Sequence, residues 1–362
     1  MSAFLSSVFS SKSNRAPRRV VGVDIGSTSI KVVELENRDD VVNVTTYGEI
    51  LLGPYGDAAL GDAVSLDAKK EQLALVDIFR ESAVQAQSAV FSVPMSSSFV
   101  TVIRVPKLED EDALSGQVAV EARKYIPIPI NEVSLDWAKI ERAENSTDSD
   151  EQEVLLVAIQ NEVLQRLQSL MKRTNLPEQP TEIECFSTIR GASGSTNSKP
   201  TAVLDIGGSS TKLYIIRNGL LEQLHRVRSG GAHITKQIAT DLSTDFADAE
   251  VRKRGQGNDS DEVGYTISRV HEKVLTRTLR ELQQVIHNYE QEHDSEVANV
   301  ILTGGVTQHA KVLRIVEDVL SKKTYLADPF AKTAYPAFME DVVKEVGPTF
   351  TVALGAALRQ FE

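Results

Sequence analysis

Two short segments, one in each half of the chain, repeat the same order of chemically useful residues. Residues 23–31 are VDIGSTSIK and residues 204–212 are LDIGGSSTK, and they align without a gap at an offset of 181 residues. In both, an apolar run ends in Asp, passes through Gly and small hydroxyl residues, and enters a second run that carries Lys. Small side chains let backbone N–H groups surround an anion, so the repeat predicts two phosphate-binding hairpins.

These hairpins supply most of the candidate binding residues. An Asp at the end of each first strand is suited to hold Mg²⁺ through its waters, so we expect Asp24 and Asp205 to be the metal ligands. Lys31 can reach a phosphate as a point charge. A single copy is more often an ordinary glycine turn, and it is the duplication that favours the phosphate function. The hairpin candidates are Asp24, Gly26, Ser27, Thr28, Ser29, Lys31, Asp205, Gly207, Gly208, Ser209, Ser210, Thr211 and Lys212.

The elements that must position these hairpins follow from hydrophobic periodicity. Around each copy, β-branched runs bounded by Gly, Asn or Asp predict strands. Helical runs follow at 69–85, 232–242 and 263–292. A block at 98–174 predicts strands and helices of its own and is expected to be an inserted α+β unit. The last run, PTFTVALGAALRQF, predicts an amphipathic C-terminal helix.

Composition narrows the classes of function. A formal net charge of −12 disfavours nucleic acid as a partner. The single cysteine, Cys185, cannot close an intramolecular disulfide, and the six histidines lack the spacing of a metal site. No stretch approaches the roughly 18 to 20 apolar residues that cross a bilayer. Neither a Walker-type loop nor GxGxxG occurs, so nucleotide binding rests on the duplicated hairpin in a protein expected to be cytosolic.

With these motifs the chain resembles the superfamily of actin, heat-shock chaperones and sugar kinases. The string ILTGG at 301–305 resembles the adenosine turn, where Gly-Gly lets a base and ribose approach the backbone. Glu250 and Lys253 have the Glu-x-x-Lys spacing that bacterial members use beside the ribose. This resemblance adds Glu250, Lys253, Gly304, Gly305 and Val306 as nucleotide-binding candidates. Taken singly, the Gly-Gly turn could also be an ordinary turn at the start of a helix. The Glu250–Lys253 pair could also be a solvated ion pair on a helix surface.

Residues 105–137, VPKLEDEDALSGQVAVEARKYIPIPINEVSLDW, resemble a block of the PilM family of type IV pilus assembly proteins. The resemblance continues through SGG at 229–231 and DPF at 328–330 and covers residues 18–361. It adds Gly230 and Gly231 to the nucleotide-binding candidates. It implies an α/β fold of the actin-like ATPase type, a duplicated ribonuclease H-like fold with a small α+β insertion in the first half. The implied cofactors are ATP and Mg²⁺, with weak ATPase activity at most.

The resemblance also implies a division into subdomains. A tail at 1–17 is either an amphipathic membrane foot or a flexible segment, since apolar residues at helical spacing precede basic ones. The expected units are 18–97 plus 175–198 as the first actin-like subdomain, 98–174 as the insertion, 199–230 plus 296–347 as the second-half core, 231–295 as a nucleotide-capping subdomain, and 348–362 as a C-terminal helix packing on the first subdomain.

The function implied by the resemblance is that of a cytoplasmic scaffold, peripheral to the inner membrane, in the assembly platform of a type IV pilus or a related secretion or competence machine. The expected partner is the N-terminal tail of a PilN-like bitopic protein, with other platform and motor components, and self-association is left open. Extended tails bind strand edges or apolar grooves, so our docking candidates are Tyr125, Ile126, Pro127 and Ile128. An equally good explanation is that these residues plug a subdomain boundary.

No motif identifies a base for hydrolysis, and Glu182 and Glu184, near the crossover between the halves, are weak catalytic candidates. Two alternative functions stay open at this stage. One is an FtsA-like cell-division protein, although we expect the chain to end without that protein's membrane helix. The other is a phosphotransferase with a catalytic Asp and a substrate pocket between the halves. A purely structural nucleotide is a further interpretation.

Overall fold

Two five-stranded sheets, one in each half, organise the molecule. They are described from a computed structural model that covers residues 18–140, 150–174, 181–192, 199–255 and 262–361. The first sheet contains β1 (Arg19–Ile25), β2 (Ser29–Arg38), β3 (Val41–Leu51), β4 (Ala89–Val93) and β8 (Glu182–Ile183), in the order β3-β2-β1-β4-β8. The second contains β9 (Thr201–Ile206), β10 (Thr211–Arg217), β11 (Leu220–Val227), β12 (Asn299–Thr303) and β13 (Thr324–Leu326), in the order β11-β10-β9-β12-β13.

The two sheets repeat one plan. In each, three antiparallel strands are followed by two strands that add in parallel. The hairpins predicted from the sequence join the first two strands of each sheet. In the β1–β2 pair Asp24 lies opposite Lys31, and in the β9–β10 pair Asp205 lies opposite Lys212. The sequence repeat is therefore also a repeat in strand register.

The helices connect and cover these sheets. Two of them begin at an aspartate N-cap: the Asp67 side chain accepts from the N–H groups of Lys69 and Lys70, and Asp110 does so for Asp112 and Ala113. The helices are α1 (Ala68–Glu81), α2 (Glu111–Ala122), α3 (Asn161–Arg173), α4 (Glu184–Ala192), α5 (Gly231–Asp241), α6 (Phe246–Gly255), α7 (Glu262–His293), α8 (Val312–Leu320), α9 (Glu340–Val346) and α10 (Thr351–Leu358).

A three-stranded sheet interrupts the first half. Its strands β5 (Ser98–Pro106), β6 (Val133–Lys139) and β7 (Glu151–Gln160) are ordered β5-β7-β6 and form a separate core with α2. Helix α3, which the sequence assigns to this insertion, packs against both β7 and α1, and its buried residues Leu167, Leu170 and Met171 join the core of the first sheet.

The C-terminal helix α10 is not amphipathic, contrary to the expectation from its sequence. Every residue from Thr351 to Leu358 is buried, since the helix lies between β1, β2, β4 and α4. Two glycines permit this close packing. A Cβ on Gly22 would lie 1.8 Å from the carbonyl oxygen of Ala353, and one on Gly355 would lie 1.9 Å from that of Ser187. The helix is therefore a core element of the first half.

Several sequence-based predictions fall outside the described residues. These are the tail at 1–17, the residues 175–180 assigned to the first subdomain, and most of the connector between the halves at 193–198. Within the part of the chain that the structure describes, no helix combines the length and apolar character needed to span a membrane.

Candidate functional site

The two hairpins meet across one cleft between the halves. The Ser27 hydroxyl donates to Ser209 Oγ at 2.9 Å, which joins the two turns directly. A Cβ on Gly208 would lie 2.5 Å from Thr28 Cγ2, so the absence of a side chain there is what lets the turns approach. The cleft has a volume of about 950 Å³, enough for a small-molecule ligand.

Asp24 stands at the end of β1 and faces this cleft. Its one described hydrogen bond, from Ser92 Oγ, is long at 3.4 Å. Burial raises the pKa of Asp24 to about 6, with help from the carboxylates of Glu184 and Asp205 and against the charge of Lys31. A carboxylate that is poorly compensated in this way would be stabilised by a cation.

Lys31 is held near the first hairpin. Its ammonium donates to Ser29 Oγ at 2.8 Å and lies 3.5 Å from Glu49 Oε1. Partial burial would raise the pKa of the Glu49 carboxyl, but the charge of Lys31, the hydrogen bond from Ser29 and the charge of Arg254 together outweigh it and lower the pKa. Because the Glu49 contact is the longer of the two, Lys31 keeps donor capacity for a ligand.

Lys212, the counterpart of Lys31, is already engaged. It donates to Asp205 Oδ2 at 2.9 Å and to Glu184 Oε1, and all three groups are buried. Burial works against the charge, but the two carboxylates outweigh it and raise the pKa of Lys212 well above its usual value. The second hairpin therefore holds a closed ion cluster.

The two catalytic candidates, Glu184 and Glu182, lie in different places relative to the cleft. Glu184 lines the cleft, and its Oε2 accepts from the backbone N–H of Met95 at 3.1 Å. Glu182 does not line it: the side chain is 0% exposed, and Arg190 grips both oxygens at 2.6 and 2.8 Å. Both oxygens of Glu182 are therefore committed to an internal ion pair, which disfavours a catalytic role for this residue.

Gly230 and Gly231 pack against the turn of the second hairpin. The N–H groups of Gly231 and Ala232, at the start of α5, donate to the carbonyls of Gly207 and Gly208 at 2.9 and 2.8 Å. A Cβ on Gly230 would lie 2.4 Å from the Gly207 oxygen. Gly231 lines the cleft, but Gly230 does not. Thr211 also lies outside it, because its hydroxyl donates to the carbonyl of Ser229.

The Gly-Gly turn after β12 closes against the second hairpin. Gly304 has φ of +99°, and a Cβ there would meet the Ile206 carbonyl oxygen at 2.4 Å and Asp205 Oδ1 at 2.6 Å. Only glycine suits this position. A Cβ on Gly305 would meet nothing within 4 Å, so the backbone at this residue is open to a ligand.

Glu250 and Lys253 lie together on α6, with Lys253 Nζ 2.6 Å from Glu250 Oε2. Thr235 and Arg254 also donate to Glu250, at 2.5 and 2.7 Å. Burial opposes ionisation of both partners. The pKa of Glu250 is nevertheless lowered, because Lys253, Thr235 and Arg254 together outweigh burial, whereas the pKa of Lys253 is lowered because burial dominates. The pair is a part-buried cluster in the cleft wall, not a solvated surface pair.

The structure thus brings the predicted motifs into one cleft, with Thr211 and Gly230 behind its wall. The predicted residues that line it are Asp24, Gly26, Ser27, Thr28, Ser29, Lys31, Glu184, Asp205, Gly207, Gly208, Ser209, Ser210, Lys212, Gly231, Glu250, Lys253, Gly304, Gly305 and Val306.

Many polar residues of the cleft were not anticipated, and five of them matter most for its chemistry: Glu49, Glu71, Arg166, His271 and His309. The tertiary fold brings four of them there, and no local motif points to them. Glu49 could have been found, because the β2–β3 register places it directly opposite Lys31. The opposite charges of Lys31 and Glu49 on paired strands were the available signal.

The docking candidates divide into core and surface. Ile126 is buried in the core of the insertion, and Ile128 packs against the same core. Tyr125 is 49% exposed, and Pro127 is exposed as well. The two isoleucines therefore belong to the core of the insertion, and a docking role stays a prediction for Tyr125 and Pro127.

The oxygen and nitrogen donors of the cleft limit which metal ion it could hold. No group of three or more His, Cys, Asp or Glu side chains suited to a metal ion occurs among the described residues. Asp24 and Asp205 fit an ion that keeps most of its waters, as Mg²⁺ does, and do not fit one that needs a full protein cage. The poorly compensated carboxylate of Asp24 is the observation that favours a cation here.

Comparison with known proteins agrees with this geometry. The solved PilM-PilN type IV pilus biogenesis complex contains a chain that is 22% identical, with a TM-score of 0.79 over 95% of this chain and 98% of that one. The ethanolamine utilization protein EutJ from Carboxydothermus hydrogenoformans is 15% identical, with a TM-score of 0.55 over 96% of this chain and 91% of that one. These likenesses confirm the predicted actin-like fold.

Sequence comparison identifies the branch. The cell division protein FtsA of Bacillus subtilis (strain 168) is 24% identical over 358 residues, covering 85% of this chain and 78% of that protein. The family model of the type IV pilus assembly protein PilM matches residues 22–361, nearly the whole chain. That match confirms the resemblance seen at 105–137. The chain is a member of the PilM family of type IV pilus assembly proteins.

Proposed function

We propose that this protein is an ATP-binding scaffold of the inner-membrane assembly platform of a type IV pilus or related machine, where it docks the N-terminal tail of a PilN-like membrane protein. The observation that carries ATP binding is the convergence in one cleft of both hairpins, the Gly-Gly turn and the Glu250–Lys253 pair. Three motifs far apart in sequence have no structural need to share one cleft. A bound nucleotide would contact all of them.

Each part of the cleft fits one part of Mg-ATP. The hairpin backbones and Lys31 suit the phosphates, because glycine turns present N–H groups and Lys31 keeps donor capacity. Asp24 and Asp205 would hold Mg²⁺ through water, and the ion would neutralise phosphate charge. The open backbone at Gly305 and the Glu250–Lys253 pair suit the ribose and base.

Hydrolysis in this cleft should be slow. Glu184 is the one catalytic candidate that lines it, and both of its oxygens are occupied, by Lys212 and by the N–H of Met95. To act as a base it would have to give up a buried ion pair, which is costly. This supports a nucleotide that is retained to hold the two halves together and is turned over slowly.

The partner tail has a suitable groove beside the nucleotide region. The cleft continues in the first half between the start of α1 and the first turns of α3, past residues 94–97. There Arg166 Nη1 lies 3.2 Å from Glu71 Oε1, yet Glu71 Oε2 and Arg166 Nε are buried without a hydrogen-bond partner. An extended peptide offers an N–H for the carboxylate and a C=O for the guanidinium, so a small rotation of these two side chains toward the groove would let its backbone satisfy both.

Calorimetry tests both parts of the proposal. The protein is titrated with Mg-ATP, and then with a synthetic peptide of the N-terminal tail of the PilN-like protein from the same organism, each with and without the other. Micromolar binding of both ligands is expected. Binding of ATP without the peptide would remove the docking function, and binding of neither would remove the proposal. An ATP turnover faster than about 1 per second would contradict the retained nucleotide.

A pair of arginine variants tests the docking groove. Arg166→Met removes the guanidinium beside Glu71, and Arg173→Met, an exposed position on the same helix, is the matched control. We expect the first to weaken peptide binding at least tenfold with little change in ATP affinity, and the second to change neither. Equal peptide affinity in both variants would contradict docking in this groove and would favour Tyr125 and Pro127 as the docking residues.

A further inference from the structure

Two histidines that no sequence motif predicted lie face to face in the wall of the cleft. His271 is on α7, and His309 follows the turn after Val306. Their ring centroids are 3.9 Å apart and their planes differ by 18°, so the rings are stacked. His271 is 1% exposed and His309 is 9% exposed. The burial of two stacked imidazole rings in the cleft wall must be explained either by packing or by the binding of a ligand.

The hydrogen bond of His271 fixes where its proton sits. Its Nδ1 lies 2.9 Å from the carbonyl oxygen of Ile267, and a carbonyl can only accept, so Nδ1 carries the hydrogen. In the neutral ring Nε2 then bears a lone pair. Within the described part of the chain this nitrogen makes no hydrogen bond. His271 thus presents an unused acceptor in the cleft wall.

The ring stays neutral under physiological conditions. Burial, reinforced by His309, lowers the pKa of His271 to about 3. Nε2 therefore remains an acceptor near pH 7 and does not become a donor. Once a bound ligand covers Nε2, leaving it without a donor would cost about 1–3 kcal/mol, so the cleft suits a ligand that brings an N–H to this point.

The surroundings indicate which part of a ligand this is. The charges of Glu250 and Lys253 both act on His271, so it belongs to the end of the cleft that suits a ribose and base. Adenine carries an exocyclic amino group at its 6 position, which donates. Guanine and hypoxanthine carry a carbonyl oxygen there, which would face the lone pair of Nε2.

We infer that His271, held flat by its stack on His309, accepts a hydrogen bond from the exocyclic amino group of adenine and selects adenine nucleotides over 6-oxopurine nucleotides. This specificity rests on the proposed ATP binding. Sites built to hydrogen-bond one polar group reject an analogue that lacks it, because their own buried group is then left unpaired.

ATP and ITP provide the test, because they differ only along one edge of the base: ATP has an amino group at C6 and an acceptor at N1, whereas ITP has a carbonyl oxygen at C6 and a hydrogen on N1. By calorimetry we expect the wild-type protein to bind Mg-ATP about ten- to a hundredfold more tightly than Mg-ITP. His271→Phe keeps an aromatic ring for the stack and removes the acceptor, so the two affinities should come within about twofold. His287→Phe, an exposed position on the same helix, is the matched control and should keep the wild-type preference.

The outcomes separate the inference from the function beneath it. Equal affinity of the wild type for ATP and ITP would overturn the role of His271 and leave ATP binding intact, whereas binding of neither would overturn ATP binding itself. A preference that survives in His271→Phe would also overturn the inference. If that variant does not fold, ¹⁵N NMR of the wild type replaces it: ATP should shift the His271 Nε2 resonance, and an unchanged resonance would exclude the hydrogen bond.

Discussion

The two hairpins share a sequence, a register and a place in their sheets, yet they differ in charge. In the second, Lys212 closes an ion cluster with Asp205 and Glu184. In the first, Asp24 has only a long hydrogen bond, and Lys31 makes its contacts with Ser29 and Glu49. The neighbours cause this difference: the crossover helix α4 begins with Glu184 beside the second hairpin and brings no equivalent carboxylate to Lys31.

This comparison shows how a duplicated motif acquires two roles. Backbone geometry is set by the repeat itself, since small residues at matching positions give the same turn. Electrostatic state is set by side chains that come from elsewhere in the chain. The closed cluster of the second hairpin suits a structural anchor, and the uncompensated Asp24 with the available Lys31 suits ligand binding. We therefore expect substitutions in the second hairpin to affect stability and those in the first to affect ligand affinity.

Lys212→Met should have the largest effect. It leaves Asp205 and Glu184 buried close together without a cation, and breaking a buried ion pair in this way costs about 3–5 kcal/mol. Urea unfolding should record a loss of this size in the free energy of unfolding. Lys31→Met is the matched control, and its loss should stay below about 1 kcal/mol because its ion pair is long and less buried.

A second variant checks the cause of this loss. Adding Glu184→Gln to Lys212→Met removes one of the two carboxylates and should restore part of the stability. Equal losses for Lys212→Met and Lys31→Met would contradict the division between a structural and a ligand-binding hairpin.

Asp24→Ala should produce the next largest effect, on affinity. The variant should bind ATP equally well with Mg²⁺ and with EDTA, because of its two expected ligands the cation loses the one that is not already held in an ion pair. We expect a loss of about 2 kcal/mol in Mg-ATP binding with unchanged unfolding. Asp205→Ala should lose affinity and stability together, since it also strips Lys212 of a partner. If Asp24→Ala retained full Mg²⁺ dependence, the metal would have to lie elsewhere.

The contrast between the hairpins also shows which features of the site could be predicted from the sequence and which could not. The strands, the duplication and the residues of the two hairpins were predicted, because local periodicity and small-residue turns encode them. The capture of Lys212 by Glu184 was not predictable, since the two are 28 residues apart and meet only through the crossover. Helix α10 shows the same limit: its composition looked amphipathic, but burial on all sides comes from partners that the segment itself does not specify.

Lys31→Met should have a smaller effect that depends on the ligand. The lost contact is to phosphate, so ATP affinity should fall about tenfold, or about 1.4 kcal/mol, while adenosine affinity stays constant. Calorimetric titration with both ligands measures the difference. Equal losses for ATP and adenosine would mean that Lys31 acts through the fold, by way of Ser29 and Glu49.

The smallest effect should come from the bond that joins the hairpins. Ser27→Ala removes one hydroxyl–hydroxyl hydrogen bond at 2.9 Å, and a neutral bond of this kind contributes about 0.5–1.5 kcal/mol. Ser209→Ala should cost the same, and the double variant no more than either, because one bond is being removed twice. A double-mutant cycle on unfolding measures this coupling. Additive losses would mean that the serines stabilise their own turns, and that the two hairpins, alike in sequence, are held together by the surrounding halves alone.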